Sequence, residues 1–342
     1  MRDQTPDGSP AVLHFNDCAN VGRAIVTEAA RQGFAWDYLP PERVRPAAVS
    51  ANPWAARAQY LPYVVRRWLH LRRAQVVHVH YATSARLVRE RGIPTRPYVL
   101  HLHGTDIREQ WQDPAYHDEI QRAIDGAAHV YYANLDTAEA AVSARQDAEY
   151  LPILLDLDLL PTRHEPLPSN PGSGAAARIL FVSRWDDVKG ADANIELARE
   201  LTAALPDAKL LGLDWGPKAG AAAAAGVHLM PRLTRPAFLE LIAAATVSVG
   251  QARPVLATSE LEAMAIGVPT AALGARLPRP DDGSTPPVIE GDLEEVVSGI
   301  RQAVLDPSGT AAALGGAAWV RSRHVATPWV PRLLEVYRSA VG

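Results

Sequence analysis

The sequence predicts an α/β protein built from two doubly wound parallel sheets that face each other across a cleft. Three observations predict it. Short β-branched or aromatic runs alternate with helix-like runs along the whole 342-residue chain, the pattern of parallel strands covered on both faces by helices. The chain is long enough for two domains, and 48% apolar residues suffice for two cores. Midway, PTRHEPLPSNPGSGAA (161–176) gathers proline, glycine and serine as a linker does. The domains are therefore 1–160 and 177–325, with a last helix over 326–342.

In the first domain the strands are AVLHF (11–15), QVVHVHY (75–81), YVLHLH (98–103) and HVYYAN (129–134). Between the first two, VGRAIVTEAARQG (21–33) reads as a helix that stops at Gly33. In the second domain the strands are ARILFVS (177–183), KLLGLD (209–214), TVSVG (246–250) and PTAAL (269–273), and the run AGAAAAAGV (219–227) reads as a helix. YVVRRWLHLRR (63–73) is amphipathic at helical spacing. Val64, Val65, Trp68, Leu69 and Leu71 gather on one side, and Arg66, Arg67, His70 and Arg73 lie mostly opposite. Residues 51–100 hold nine arginines, no lysine and a single acid, Glu90, so this helix is either an ordinary cover for the next strand or a surface for anionic lipid or a phosphorylated acceptor through Arg66, Arg67 and Arg73.

The totals exclude several classes. A net charge of −4 speaks against a nucleic-acid binder. One cysteine, Cys18, rules out an intramolecular disulfide framework and fits a reducing cytoplasm. The start MRDQTPDGSP carries no signal pattern, and no apolar run nears the ~20 residues of a spanning helix, so a cytoplasmic protein is expected, at most peripheral to a membrane. The wealth of arginine and alanine points to a high-GC bacterium.

Three stretches can carry chemistry. VSRWDDVKGAD (182–192) holds Lys189, one of three lysines in the chain, five residues after Arg184 and directly before Gly190 and a helix. A helix start with a guanidinium fork and an ammonium beside it suits a diphosphate. SELEAMAIGVPTAAL (259–273) reads as a helix ending at Gly267, and Glu262 can grip a diol or complement the helix dipole. In YVLHLHGTDI (98–107), His101 and His103 share a strand face, with His103 at its carboxyl end. HVH (78–80) and HLH (101–103) also raise a metal site, but no carboxylates stand at a telling spacing, so no metal is expected.

In this order, R-x4-K-G, E-A-M-A-x-G-x-P and H-G-T-D resemble the glycosyltransferases of two Rossmann-like domains, the GT-B type, and most of all their retaining family 4. HVHYA (78–82) and WVPRLLEVY (329–337) fit the same group. The resemblance implies an N-terminal acceptor domain, a C-terminal nucleotide-sugar domain and a last helix crossing back to the first. It implies that Arg184 and Lys189 neutralise a leaving diphosphate, with Gly22 letting backbone approach it. Glu262 would bind the ribose. His103, touching the donor sugar, and Asp106 would be catalytic. Ser259 and Arg232 would belong to the donor loop. A nucleoside-diphosphate sugar would be the substrate, with no cofactor and no metal, and a glycan, lipid-linked precursor or small molecule the acceptor. Two departures stand out. Pro254 replaces the glutamate this group carries eight positions before the one at 262, and the glycine-rich loop after the first strand is reduced to Gly22. An epimerase on the same fold, or a non-catalytic sugar-nucleotide-binding partner, stays open, as do the base, the sugar and the oligomeric state.

Overall fold

The computed structural model describes residues 8–164 and 176–342. These divide into two compact units. One runs to Asp156 and takes in His324–Gly342; the other spans Leu157–Arg323. Most of the stretch read as a linker, 165–175, lies outside the described residues.

The first unit holds β1 (Val12–Phe15), β2 (Asp37–Leu39), β3 (Val76–His80), β4 (Tyr98–Leu102), β5 (His129–Tyr132) and β6 (Glu149–Tyr150) in the spatial order β2-β1-β3-β4-β5-β6. The second holds β7 (Arg178–Phe181), β8 (Lys209–Leu213), β9 (His228–Met230), β10 (Val247–Val249), β11 (Thr270–Leu273) and β12 (Ile289–Gly291) in the order β12-β11-β10-β7-β8-β9. Every strand pair in both sheets is parallel. The winding direction reverses between β1 and β3, and between β7 and β10. In open sheets of this kind ligands bind outside the carboxyl ends of the strands at such a reversal.

The eight strands read from sequence are present. The four the sequence did not reveal, β2, β6, β9 and β12, are the four sheet edges. The central strands of the first unit are buried on both faces, and the two faces differ. Leu13, Phe15, Val77, Val79, Leu100 and Leu102 belong to the apolar core. The alternate positions include His14, His78, His80 and His101, all fully buried. The parallel register aligns His14 with His78 and His80 with His101. The helix Trp329–Val341 belongs to this unit and buries Val330, Leu333, Leu334 and Tyr337.

The arginine-rich helix, Pro53–Arg73, corrects one expectation. Its inward stripe is Val64, Arg67, Trp68 and Leu71, while Leu61, Val65 and Leu69 are exposed. Arg67 can lie in the buried stripe because Glu90 pairs with it at 2.6 Å. Arg67 is therefore no part of an outward basic surface. Among the described residues no helix is long and apolar enough to cross a membrane.

Candidate functional site

In the second unit, β7 delivers the chain to Arg184 and then to a tight turn, Asp187–Lys189. Asp186 caps that turn by accepting from Val188 N at 3.1 Å. Gly190 follows at φ +71° and opens the helix Ala191–Ala204. The turn is tied to the loop after β10, because Ala252 N donates to Lys189 O at 3.1 Å. A Cβ on Gly190 would stand 2.5 Å from Ala252 O, so both the left-handed backbone and the close approach require glycine. The Lys-Gly pair thus sits at the start of a helix, where free N–H groups and the helix dipole favour an anion.

Arg184 Nε lies 3.3 Å from Asp186 Oδ2. Its guanidinium is 6.0 Å from the ring of Trp215, and that of Arg232 is 4.4 Å from the same indole. Trp215, which follows β8, is 42% exposed, so the indole still has surface to offer a ligand. Arg184 and Arg232, both singled out from sequence, therefore meet on Trp215.

The helix Thr258–Ile266 carries two buried glutamates that do different things. Glu260 accepts from the backbone N–H groups of Gln251 and Ala257. Burial raises its carboxyl pKa, while those bonds and the charges of Lys189 and Arg276 act the other way. Glu262 pairs with Arg235, the first residue of the helix Arg235–Ala243; burial raises its pKa and Arg235 opposes the rise. Ser259 is half-buried in the first turn. The glutamate that shares Lys189's field is therefore Glu260, two positions before the one singled out from sequence. On a helix, residues i and i+2 point in different directions, so only one of the pair can turn to the Lys189 loop.

In the first unit, Asp106 is fully buried. Its carboxylate accepts from Ala82 N at 3.0 Å, His103 N at 3.1 Å, Gly104 N at 2.9 Å and Ile107 N at 3.1 Å. Burial pushes its pKa up to about 6 against those four donors. Expected among the catalytic groups, Asp106 here has both oxygens occupied by backbone, and what it does is fix the loop that carries His103.

His103 is held on three sides. Its N–H donates to Asp106, its carbonyl accepts from Asn134 Nδ2 at 2.7 Å, and its Nε2 lies 3.0 Å from His80 Nδ1. Burial lowers its pKa to about 4, so the ring is neutral across the physiological range. Gly22 lies in the helix Val21–Arg31, buried. A Cβ there would stand 2.5 Å from His80 Nε2 and 3.1 Å from His14 Nδ1. Read from sequence as room for a phosphate, Gly22 in the structure makes room for two imidazoles that meet at 3.2 Å.

The HVH and HLH runs do come together: ligand atoms of His78, His80 and His101 lie within 4.8 Å of one another. The rings of His78 and His80, however, are 9° from parallel with centroids 4.7 Å apart. Rings that close cannot share a plane, and an imidazole lone pair lies in its ring plane. In this arrangement the lone pairs do not converge on one ion.

No protein-family model and no curated protein sequence matches the chain. Solved structures do. A sucrose-phosphate synthase from Thermosynechococcus elongatus superimposes with a TM-score of 0.64 at 16% identity, over 96% of this chain and 98% of that one. HepE from Anabaena, in complex with UDP and glucose, gives 0.65 at 14%, over 96% and 100%. TarM gives 0.59 at 13% over 77% of this chain, which spans only 54% of TarM. The chain has the GT-B fold.

At these identities the likeness is one of fold. Within a GT-B chain the residues that sequence reasoning passed over, Glu260, Arg235, His14 and Tyr337, have one thing in common. Each meets at least one group far away in sequence (Glu260 the charge of Lys189, Arg235 Glu262, His14 His80, Tyr337 His78), and its own place in a helix or strand reads as ordinary.

Proposed function

We propose that this chain is a glycosyltransferase that moves a sugar from a nucleoside-diphosphate sugar to an acceptor glycan, lipid-linked precursor or small molecule. The observation that supports this most is the arrangement at the β7–β10 reversal: Arg184, Lys189 and a glycine-started helix meet at one turn, on a fold whose solved neighbours include HepE in complex with UDP and glucose. Breaking a glycosyl–diphosphate bond builds negative charge on the leaving oxygens. Arg184 and Lys189 would stabilise that charge without a metal, and each would be worth roughly 2–4 kcal/mol in the transition state, by analogy with other preorganised donors. Glu262 would bind the ribose by exchanging Arg235 for two hydroxyls. Arg232 and Ser259 would line the donor loop around Trp215. His103 would meet the transferred sugar, held in place by Asp106, and Gly22 would act through the histidines it accommodates. With Pro254 where a glutamate is usual, no carboxylate is in view as a nucleophile, so the acceptor would return on the face the leaving group vacates, with retention.

Pro254 also favours a second reading, a sugar-nucleotide-binding protein without turnover. Thermal shifts with UDP, GDP, dTDP, ADP and CDP at millimolar concentration test the first step. At ~100 times its dissociation constant, a ligand adds about 2.7 kcal/mol, a few degrees of melting temperature. One responder is expected, and Lys189→Ala or Arg184→Ala should abolish the response. No responder would remove the clamp. A responder without sugar transfer or release by product analysis would leave the second reading, and free altered sugar without acceptor would indicate an epimerase.

The outward side of the helix Pro53–Arg73 belongs to the same proposal. Trp54, Leu61, Val65 and Leu69 are exposed there together with Arg57, Arg72 and Arg73, with Arg66 half-buried beside them. Apolar side chains with a guanidinium rim suit an anionic lipid surface.

A further inference from the structure

The face of the first sheet that carries histidines is unusual chemistry for a buried β-face. Aliphatic residues are the default there, and burying an imidazole costs less when its polar atoms are joined. Most of these atoms are joined in a single line. His103 Nε2 meets His80 Nδ1 at 3.0 Å. His80 Nε2 meets His14 Nδ1 at 3.2 Å. His14 Nε2 meets the Tyr337 hydroxyl at 3.3 Å, and that hydroxyl meets His78 Nδ1 at 2.6 Å. The line begins on the last helix, crosses β1 and β3, and ends on the loop after β4. Gly22 is an independent sign that the line is built in, because any side chain there would displace the central link between His14 and His80.

A neutral imidazole carries one hydrogen, so each link fixes the next. If Tyr337 donates to His78, the hydrogens run toward Tyr337 and His103 carries its own on Nε2. If Tyr337 accepts from His78 and donates to His14, then His14 donates from Nδ1 to His80, and His80 donates from Nδ1 to His103. His103 must then carry its hydrogen on Nδ1. Two observations select the second direction. Asp17 Oδ1 lies 3.9 Å from His80 Nδ1 and favours a hydrogen on that atom. His78 Nε2 is buried with no hydrogen-bond partner among the described residues, and the second direction leaves a lone pair there instead of a stranded N–H.

We propose that Tyr337, His14 and His80 are positioning residues: they form a relay that locks His103 in its Nδ1–H tautomer, so that this ring offers its ligand a hydrogen-bond donor. The fitting ligand atom is an acceptor oxygen, a sugar hydroxyl or a phosphate oxygen. The use of that donor rests on the reading of His103 as the ring that meets the transferred sugar. The tautomer itself does not.

Histidine 15N NMR on the unliganded full chain at pH 7 reads the tautomer directly, with His103→Gln to assign the signal. The expected spectrum shows His103 protonated at Nδ1, the minor form of free histidine. Tyr337→Phe removes the hydroxyl and Gly22→Ala pushes on His80, and each should return His103 toward the Nε2–H form. Tyr337→Phe should also lower turnover about two- to tenfold with the donor KM little changed, as expected for one lost hydrogen bond. An Nε2–H signal in the wild type overturns the relay, and so does an Nδ1–H signal that neither variant moves. If the wild-type tautomer is as expected and no nucleotide binds, the relay stands and the transferase reading falls. Should Tyr337→Phe not fold, the wild-type spectrum and Gly22→Ala still decide.

Discussion

Gly190 allows the architecture of the Lys189 turn, proposed to hold a diphosphate, to be tested by one methyl group. At φ +71° an alanine pays for a left-handed backbone, about 1–2 kcal/mol. Its Cβ would in addition lie 2.5 Å from Ala252 O and 2.8 Å from Ala252 Cβ. That neighbour is backbone held by a hydrogen bond to Lys189 O and cannot swing aside, so overpacking should add roughly 1–3 kcal/mol. The second unit contains its own control. Gly315, which ends the helix Pro307–Leu314, has φ +72° and nothing within 4 Å of the added Cβ. Gly315→Ala should therefore show the backbone cost alone, and Gly190→Ala that cost plus the overlap. In thermal unfolding the gap between the two variants should be roughly 2–12 °C. Gly190→Ala should also lose its response to nucleoside diphosphates, and Gly315→Ala should keep it. Equal melting temperatures would mean the loops after β7 and β10 do not approach each other as described, and the clamp built on that approach would go with them.

Three more outcomes are expected. Glu262→Ala should weaken nucleoside diphosphates about 10- to 100-fold in titration calorimetry while leaving inorganic pyrophosphate nearly unchanged, as expected for lost charge-assisted hydrogen bonds to a diol; equal losses would end the ribose role. Asp106, with a folded pKa of about 6 above an ordinary ~3.8, holds its proton longer folded than unfolded, so its contribution is greatest below ~pH 4 and falls by at most about 3 kcal/mol as pH rises to ~6. Urea unfolding should show the stability gap between wild type and Asp106→Asn narrowing over that window; a widening gap would show that the four backbone donors outweigh burial. In flotation assays the protein should rise with anionic vesicles and not with neutral ones, and Leu61→Glu with Val65→Glu should prevent it; no co-migration of wild type would leave the helix an ordinary cover.

The sequence by itself determined the α/β class and the central strands. Runs such as VVHVH and VLHF, β-branched or aromatic and bounded by turn residues, have few other ways to bury themselves. It missed the edges because edge strands such as Asp37–Leu39 and Glu149–Tyr150 are two or three residues long, half-solvated and held by backbone pairing that any side chain permits. The Lys189–Gly190 turn at a helix start was legible because lysine, glycine and the first residues of the helix are adjacent in sequence. Of the helix Pro53–Arg73 the sequence showed only the stretch 63–73, and not its orientation, since the pairing of Arg67 with Glu90 joins residues 23 apart and turns a charged position inward.

What only the tertiary structure decided is which partner each polar group has. Glu260 and Glu262 look interchangeable in SELEA until one helix face meets Lys189's loop and the other meets Arg235. Gly22 looks like a phosphate glycine until His14 and His80 close over it. Periodicity gives a first reading of which side of an element is buried, and it fails where a distant pair such as Arg67 and Glu90 turns a charge inward. Hydrogen-bond partners across 66 residues, as between His14 and His80, or 259, as between His78 and Tyr337, exist only once the sheet and its covering helix are assembled.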